Sequence, residues 1–161
     1  MLQLPRPVVA ASTTLALLLL AGCAGAETPD AEDDWNGRMT QLLSDPAGLG
    51  GAGGELTPGD DSSQEDEVAE VTVGRISEGE YDVLGVCRNA RTVHLAVLRL
   101  DDGGLPGAVL SEADIACGAT GRLPVSLDGS DLMVRASGPG GAEWATSIVT
   151  PNWEPPLTTF G

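Results

Sequence analysis

In the second half of the chain, short hydrophobic runs alternate with turn-forming residues. This spacing is typical of all-β domains, in which short strands are joined by tight turns. The pattern predicts seven strands, over residues 68–76, 81–88, 91–100, 108–117, 121–127, 131–137 and 143–150. Asp128-Gly129, between the fifth and sixth strands, is the clearest hairpin indication. The sequence therefore predicts an antiparallel sandwich, Ig-like or jelly-roll-like, over residues 68–150.

Alternation within these runs assigns one face of each strand to the core, because side chains two positions apart point the same way. The predicted core residues are Tyr81, Val83, Gly85, Cys87, Val93, Leu95, Val97, Leu132, Val134, Ala136, Trp144, Thr146 and Ile148. The predicted outward residues are Arg88, His94, Met133, Arg135 and Glu143. The alternation slips at Val97-Leu98-Arg99-Leu100, which predicts a bulge or a stretch covered on both sides.

A longer apolar run, from Val8 to Leu20, stands near the start of the chain and follows Arg6. It is shorter than the roughly 20 residues that a membrane-spanning helix needs. A positive residue followed by a short apolar run is typical of a secretory signal peptide. We therefore expect residues 1–22 to be cleaved.

The tetrapeptide Leu20-Ala21-Gly22-Cys23 ends this run and resembles the lipobox of bacterial lipoproteins. The resemblance implies that a peptidase cuts before Cys23 and that the Cys23 thiol carries diacylglycerol. It also implies a lipid anchor on the extracytoplasmic face of the cell membrane. The alternative is an ordinary signal peptide that leaves Cys23 as a spare thiol.

The chain has three cysteines, so lipidation of Cys23 leaves Cys87 and Cys117 as a pair. We expect them to form a disulfide that closes the sandwich, with Trp144 packed nearby; the alternative is two buried free thiols. The order of Tyr81, Cys87, Cys117-Gly118 and Trp144 resembles the β-sandwich domains of small actinobacterial lipoproteins. That resemblance implies a fold and a location, and no activity.

Residues 23–67 are rich in Gly, Pro, Asp and Glu, which favours a disordered acidic tether. One segment of it, residues 33–43, has Trp35, Met39, Leu42 and Leu43 at helical spacing. We interpret this segment as a transient turn; the alternative is a short helix that docks on a partner. Residues 151–161 are predicted to form a Pro-rich C-terminal tail.

The net charge is −16, with 24 acidic residues, and all eight cations are arginine. Nucleic acid is therefore not an expected partner, because phosphate binding needs clustered cations. We expect no cofactor, although Asp128 and Asp131 flank Gly129-Ser130 and would offer a weak Ca²⁺ site.

Residues for catalysis are sparse along the chain. His94 is the only histidine, so neither a hydrolytic triad nor a zinc site is predicted. The acids of the domain lie chiefly in turns, where solvation explains them. Trp153, between prolines after the last strand, is the candidate ligand contact: it would stack on a sugar ring or a partner, or else cap the sandwich. We favour capping.

These features predict a monomeric, membrane-anchored lipoprotein whose sandwich is a non-enzymatic binding module. The expected partner is an unknown protein or a cell-wall glycan. Two alternatives remain: an accessory envelope hydrolase that uses carboxylates, and a structural or stress-related surface protein.

Overall fold

The computed structural model describes residues 34–57, 66–74 and 76–156. This part of the chain forms one helix and eight strands. In chain order they are α1 (Trp35–Leu42), β1 (Gly50–Glu55), β2 (Glu67–Val73), β3 (Gly79–Arg88), β4 (Thr92–Leu100), β5 (Pro106–Ala116), β6 (Gly121–Leu127), β7 (Leu132–Gly138) and β8 (Glu143–Val149). The signal segment and Cys23 lie outside the described residues. The helix in the described part of the chain is not long and apolar enough to cross a membrane.

The strands pair into two antiparallel sheets of four strands each. Sheet A has the order β1-β8-β3-β6, and sheet B has the order β2-β7-β4-β5. Strands β1 to β8 thus follow the order of a jelly roll, two interlocked Greek keys. Consecutive strands lie in different sheets, except β4 and β5, which pair with each other in sheet B. The predicted antiparallel sandwich is confirmed, and β2 to β8 correspond to the seven predicted strands.

The core lies between the two sheets, as the alternation predicts. Every residue of the predicted core set is buried there except Tyr81, which is half-buried and packs against its edge. β4 changes register between Val97 and Leu98 and again before Leu100, which confirms the predicted irregularity. Met133 points to the outer face of sheet B as predicted, but it is buried there beside Ala96, Leu98 and Leu100.

The Cys87–Cys117 disulfide joins the two sheets. Cys87 lies near the end of β3 in sheet A, and Cys117 directly follows β5 in sheet B. Trp144 lies directly opposite Cys87 on β8, so its indole packs in the same core cluster. The bond spans 30 residues, and loop-closure entropy alone gives it roughly 3.6 kcal/mol of stabilisation.

The prediction of a disordered tether over residues 23–67 is wrong for residues 34–57 and for the start of β2. The glycine-rich stretch forms β1, an edge strand that pairs with β8 from Gly50 to Glu55. A side chain at Gly51 would put its Cβ only 2.3 Å from the Thr146 carbonyl oxygen, and one at Gly53 would lie 2.6 Å from that of Trp144. Glycine at these two positions therefore permits the close approach of the strands.

The interpretation of residues 33–43 as a transient turn is also wrong; the segment is a short helix, as in the alternative, but it packs on this chain's own sheet. The segment forms α1, capped by Asp34, whose Oδ1 accepts the Gly37 N–H at 2.9 Å. Trp35, Met39 and Leu43 are buried on the outer face of sheet A. They pack against Leu84, Val86, Ala145 and Val149. The helix thus docks on its own domain.

We predict that Trp35→Ala destabilises the whole domain, because the indole is 1% exposed and its removal leaves a large cavity. The expected loss is about 3–5 kcal/mol of unfolding free energy. Urea unfolding followed by tryptophan fluorescence and circular dichroism measures it. The matched control is Gln41→Ala, an exposed position on the same helix, for which we expect a change within about 0.5 kcal/mol. An unchanged midpoint for Trp35→Ala would mean that α1 contributes nothing to the fold.

Candidate functional site

The chain after β8 turns back against the outer face of sheet A and forms one wall of a groove. The turn is made at Asn152, whose φ of 64° lies in the left-handed region that asparagine tolerates. The Trp153 N–H donates to the Thr150 carbonyl at 3.1 Å and closes the turn. The Trp153 side chain is half-buried against the cluster formed by α1 and sheet A.

Arg122 on β6 holds this tail in place. It lies opposite Leu84 of β3, and both side chains therefore point to the outer face of sheet A. Its Nη1 pairs with Asp82 Oδ2. Its Nη2 donates to the Trp153 carbonyl at 2.8 Å and to Glu154 Oε1 at 3.0 Å. One guanidinium thus joins strand β3, strand β6 and the tail.

Asp82 is the buried partner in this network, with a side chain only 12% exposed. Its Oδ2 also accepts the Asn152 N–H at 3.3 Å, at the turn of the tail. A buried carboxylate needs such partners, because an unpaired charge removed from water is strongly unfavourable. Removal of the Arg122 side chain would therefore leave the Asp82 carboxylate buried without its charged partner, which would destabilise the fold.

Asp45, in the turns between α1 and β1, fixes the base of the same tail. Its Oδ2 accepts the Thr150 N–H at 2.8 Å and the Thr150 hydroxyl at 2.6 Å. Its Oδ1 accepts the Ala47 N–H at 2.9 Å. Hydrogen bonds from the Thr150 hydroxyl and then the Thr150 N–H lower the pKa of Asp45 below its ordinary value, since they favour the charged carboxylate.

The groove itself lies between the tail and the segment that enters β6. It has a volume of about 280 Å³ and is lined by Ala119, Thr120, Arg122, Glu154 and Pro155. Thr120 Oγ1 is buried at this wall and has no hydrogen-bond partner among the described residues. A buried hydroxyl without a partner is uncommon in folded proteins.

The groove combines a guanidinium, an exposed carboxylate, a hydroxyl, and the apolar surfaces of an alanine and a proline. A few polar groups that converge on a partly apolar concavity are typical of small-molecule sites. The arrangement suits a polar ligand of modest size that both donates and accepts hydrogen bonds. It is the candidate functional site of the described domain.

Trp153, the ligand contact considered from sequence, lies next to this groove, and its side chain packs on the α1 cluster. It folds back on the domain and covers part of the outer face of sheet A. Its carbonyl, held by Arg122, helps to place Glu154 and Pro155 in the groove wall. Cys23, the predicted lipidation site, falls outside the described residues.

The acids considered for Ca²⁺ serve the loop between β6 and β7. Asp128 accepts the Ser130 N–H at 3.2 Å and pairs with Arg99 at 3.1 Å. Hydrogen bonds from Ser130, with a smaller contribution from Arg99, lower the pKa of Asp128. The Asp131 carbonyl accepts the Leu100 N–H at 2.8 Å. No group of three or more metal-ligating side chains comes together within residues 34–57, 66–74 and 76–156.

His94 lies on the outer face of sheet B, as predicted, away from the groove. Its Nδ1 lies 2.9 Å from Asp114 Oδ1, and its Nε2 lies 3.7 Å from Glu112 Oε2. Both ring nitrogens therefore face carboxylates of β5, the neighbouring edge strand.

Sequence reasoning missed Arg122, Asp82, Glu154 and Thr120. One indication was present: Asp82 occupies the outward phase of a strand whose next outward positions, Leu84 and Val86, are apolar. The change from apolar to acidic along these outward positions indicates where the buried part of the outer face ends. No pattern in the sequence indicates that Glu154 reaches back to Arg122.

No family model matches the chain, and a search of curated proteins finds no similar sequence.

We predict that the stability supplied by Asp45 depends on pH. The folded pKa lies below the unfolded value of about 3.9. The contribution is therefore complete above the unfolded pKa and disappears as pH falls through the folded pKa. Asp45→Asn should be less stable than wild type near pH 7, and the difference should shrink below about pH 4.

Urea midpoints measured across this range test the prediction. Glu78→Gln, an exposed acid in another turn, is the control and should show no gap at any pH. A gap for Asp45→Asn that stays constant into acid would contradict the assigned role of the carboxylate.

Proposed function

We propose that this chain is a lipoprotein anchored by diacylglycerol on Cys23 at the extracytoplasmic face of the cell membrane. Its jelly-roll domain acts as a non-enzymatic binding module for a cell-wall component, and the groove beside Arg122 is the binding site. The observation that carries the binding proposal is this groove, because it brings charged, hydroxyl and apolar groups together on a rigid support. The lipobox-like Leu20-Ala21-Gly22-Cys23 supports the anchor.

The contacts of the turn acids favour binding over hydrolysis. A carboxylate-based hydrolase needs two carboxyl groups that flank one substrate bond. Asp101 Oδ1 instead accepts the Gly103 and Leu105 N–H groups at 2.9 and 2.8 Å. Asp128 is similarly engaged by Ser130 and Arg99. These contacts give both acids a structural role in their own loops.

With a lipid on Cys23, the short distance along the chain to α1 supports a module that lies close to the membrane. Only residues 24–33 separate Cys23 from Asp34, where the described domain begins. Even a fully extended segment of that length reaches at most about 40 Å. A lipid on Cys23 would therefore keep the groove near the outer surface of the membrane, where it meets the inner layers of the wall.

We predict that Cys23→Ser moves the protein out of the membrane fraction or leaves an unprocessed precursor. The reason is that the serine hydroxyl cannot take the thioether-linked lipid. Fractionation of cells, followed by mass spectrometry of the membrane-bound chain, measures both the release and the mass of the attached lipid. Ser44→Ala, an exposed position of the described domain, is the control, because it leaves both Cys23 and the disulfide in place. Unchanged fractionation of Cys23→Ser would refute the lipoprotein assignment.

We also predict that filling the groove weakens retention on the cell wall. Ala119→Phe puts a large side chain into the groove, and full-length protein carrying it should lose about tenfold in affinity, or ~1.4 kcal/mol. Co-sedimentation of detergent-solubilised protein with purified insoluble wall material measures the retention. Ala116→Phe, an exposed position on β5 outside the groove lining, is the matched control. Absence of wild-type retention would remove the proposed function.

A further inference from the structure

We infer that the groove recognises a carboxylate group on its ligand and that Glu154 occupies the place of that carboxylate in the free protein. This inference rests on the proposed binding function and specifies the ligand chemistry of the same site. The carboxylate would belong to a cell-wall fragment, either on an acidic sugar or at the end of a short stem peptide. The inference rests on the position of Arg122 between two carboxylates, the buried Asp82 and the exposed Glu154.

The two carboxylates that pair with Arg122 differ in how firmly they are held. The Asp82 side chain is 12% exposed and has a second donor, the Asn152 N–H. The Glu154 side chain is 73% exposed, and Arg122 is its only hydrogen-bond donor among the described residues. An exposed ion pair contributes little to stability, whereas a buried carboxylate that loses its partner is strongly destabilising. Glu154 is thus the carboxylate that can be exchanged.

Arg122 is suited to an incoming carboxylate. A guanidinium has five N–H donors in a planar fork that matches the two oxygens of a carboxylate. Within the described part of the chain, Arg122 uses one donor for Asp82 and two for the tail. If Glu154 leaves, one Nη2 N–H becomes free. The Nε N–H and the second Nη1 N–H have no partner among these contacts. The side of Arg122 that Glu154 now occupies borders the groove, so the rest of the ligand would lie against Ala119 and Pro155.

Local charge favours the exchange although the whole chain is acidic. Arg122, Asp82 and Glu154 together sum to one negative charge. When Glu154 swings out, Arg122 and Asp82 sum to zero, and a ligand carboxylate restores the original balance.

The test uses detergent-solubilised full-length protein and two pairs of probes in isothermal titration calorimetry. One pair is a galacturonic acid trimer and its methyl ester; the other is an N-acetylated alanine dipeptide and its C-terminal amide. We expect one free acid to bind and its neutral counterpart to bind about tenfold more weakly, since a charge-assisted fork is lost. The pair that shows the difference identifies the source of the carboxylate.

Three variants assign the contacts. Arg122→Lys keeps a positive charge opposite Asp82 but lacks the planar fork, and we expect about tenfold weaker binding of the free acid. Glu154→Gln removes the competing carboxylate, and we expect binding about threefold tighter than wild type. Glu80→Gln is the matched control: it removes an equally charged exposed side chain, on β3, that bonds Ser126 and does not touch Arg122.

The outcomes separate this inference from the proposed function. Retention of wild-type protein on wall material, with equal binding of acid and neutral probes or with none, overturns the carboxylate assignment and leaves the binding function in place. An equal gain from Glu80→Gln and Glu154→Gln overturns the exchange, because net charge would then explain both. Loss of binding in Arg122→Lys with an unchanged melting temperature supports a recognition role that a purely structural arginine would not have.

Discussion

The structure depends on one constraint: β3 and β8, the central strands of sheet A, are apolar on both faces. Their inner faces form the core with sheet B, and their outer faces carry Leu84, Val86, Ala145 and Val149. Exposed, these outer residues would form a large apolar patch, which monomeric soluble proteins rarely show. The segment before β1 supplies the cover through Trp35, Met39 and Leu43. An N-terminal region with the composition of a linker is therefore part of the fold.

The candidate site follows from the limits of that cover. α1 contacts β8 and β1, while the tail after β8 packs Trp153 against the same cluster and contacts β3 and β6 through Arg122 and Asp82. The groove thus forms where apolar packing gives way to polar contacts at the edge of sheet A. Arg122 has two roles there: with Asp82 it anchors the tail, and with Glu154 it presents donors at the surface.

Much of the sandwich was predictable from the sequence because alternation in β2 to β8 reports which face is buried. The groove was not, since it arises from contacts between residues as distant in sequence as Asp82 and Asn152. The cover over sheet A left a partial indication. Val83-Leu84-Gly85-Val86-Cys87 is a continuous apolar run, which is typical of a strand buried on both sides. Alternation places every second residue of this run in the core between the sheets. It assigns the residues between them, Leu84 and Val86, to solvent, although both are buried on the outer face of sheet A.

β1 shows why composition misjudged the N-terminal segment. Low hydrophobicity predicts disorder when a segment must supply its own buried surface. β1 supplies almost none: its inward positions, Gly50, Ala52 and Gly54, lie opposite Ile148, Thr146 and Trp144, which provide the volume. Only a gap of about 10 Å³ remains between β1 and β2, with an apolar lining that leaves water no hydrogen-bond partners. Leu49 and Leu56 pack into the core at the two ends of β1. Glycine is tolerated between them because side chains of β8 fill the core there.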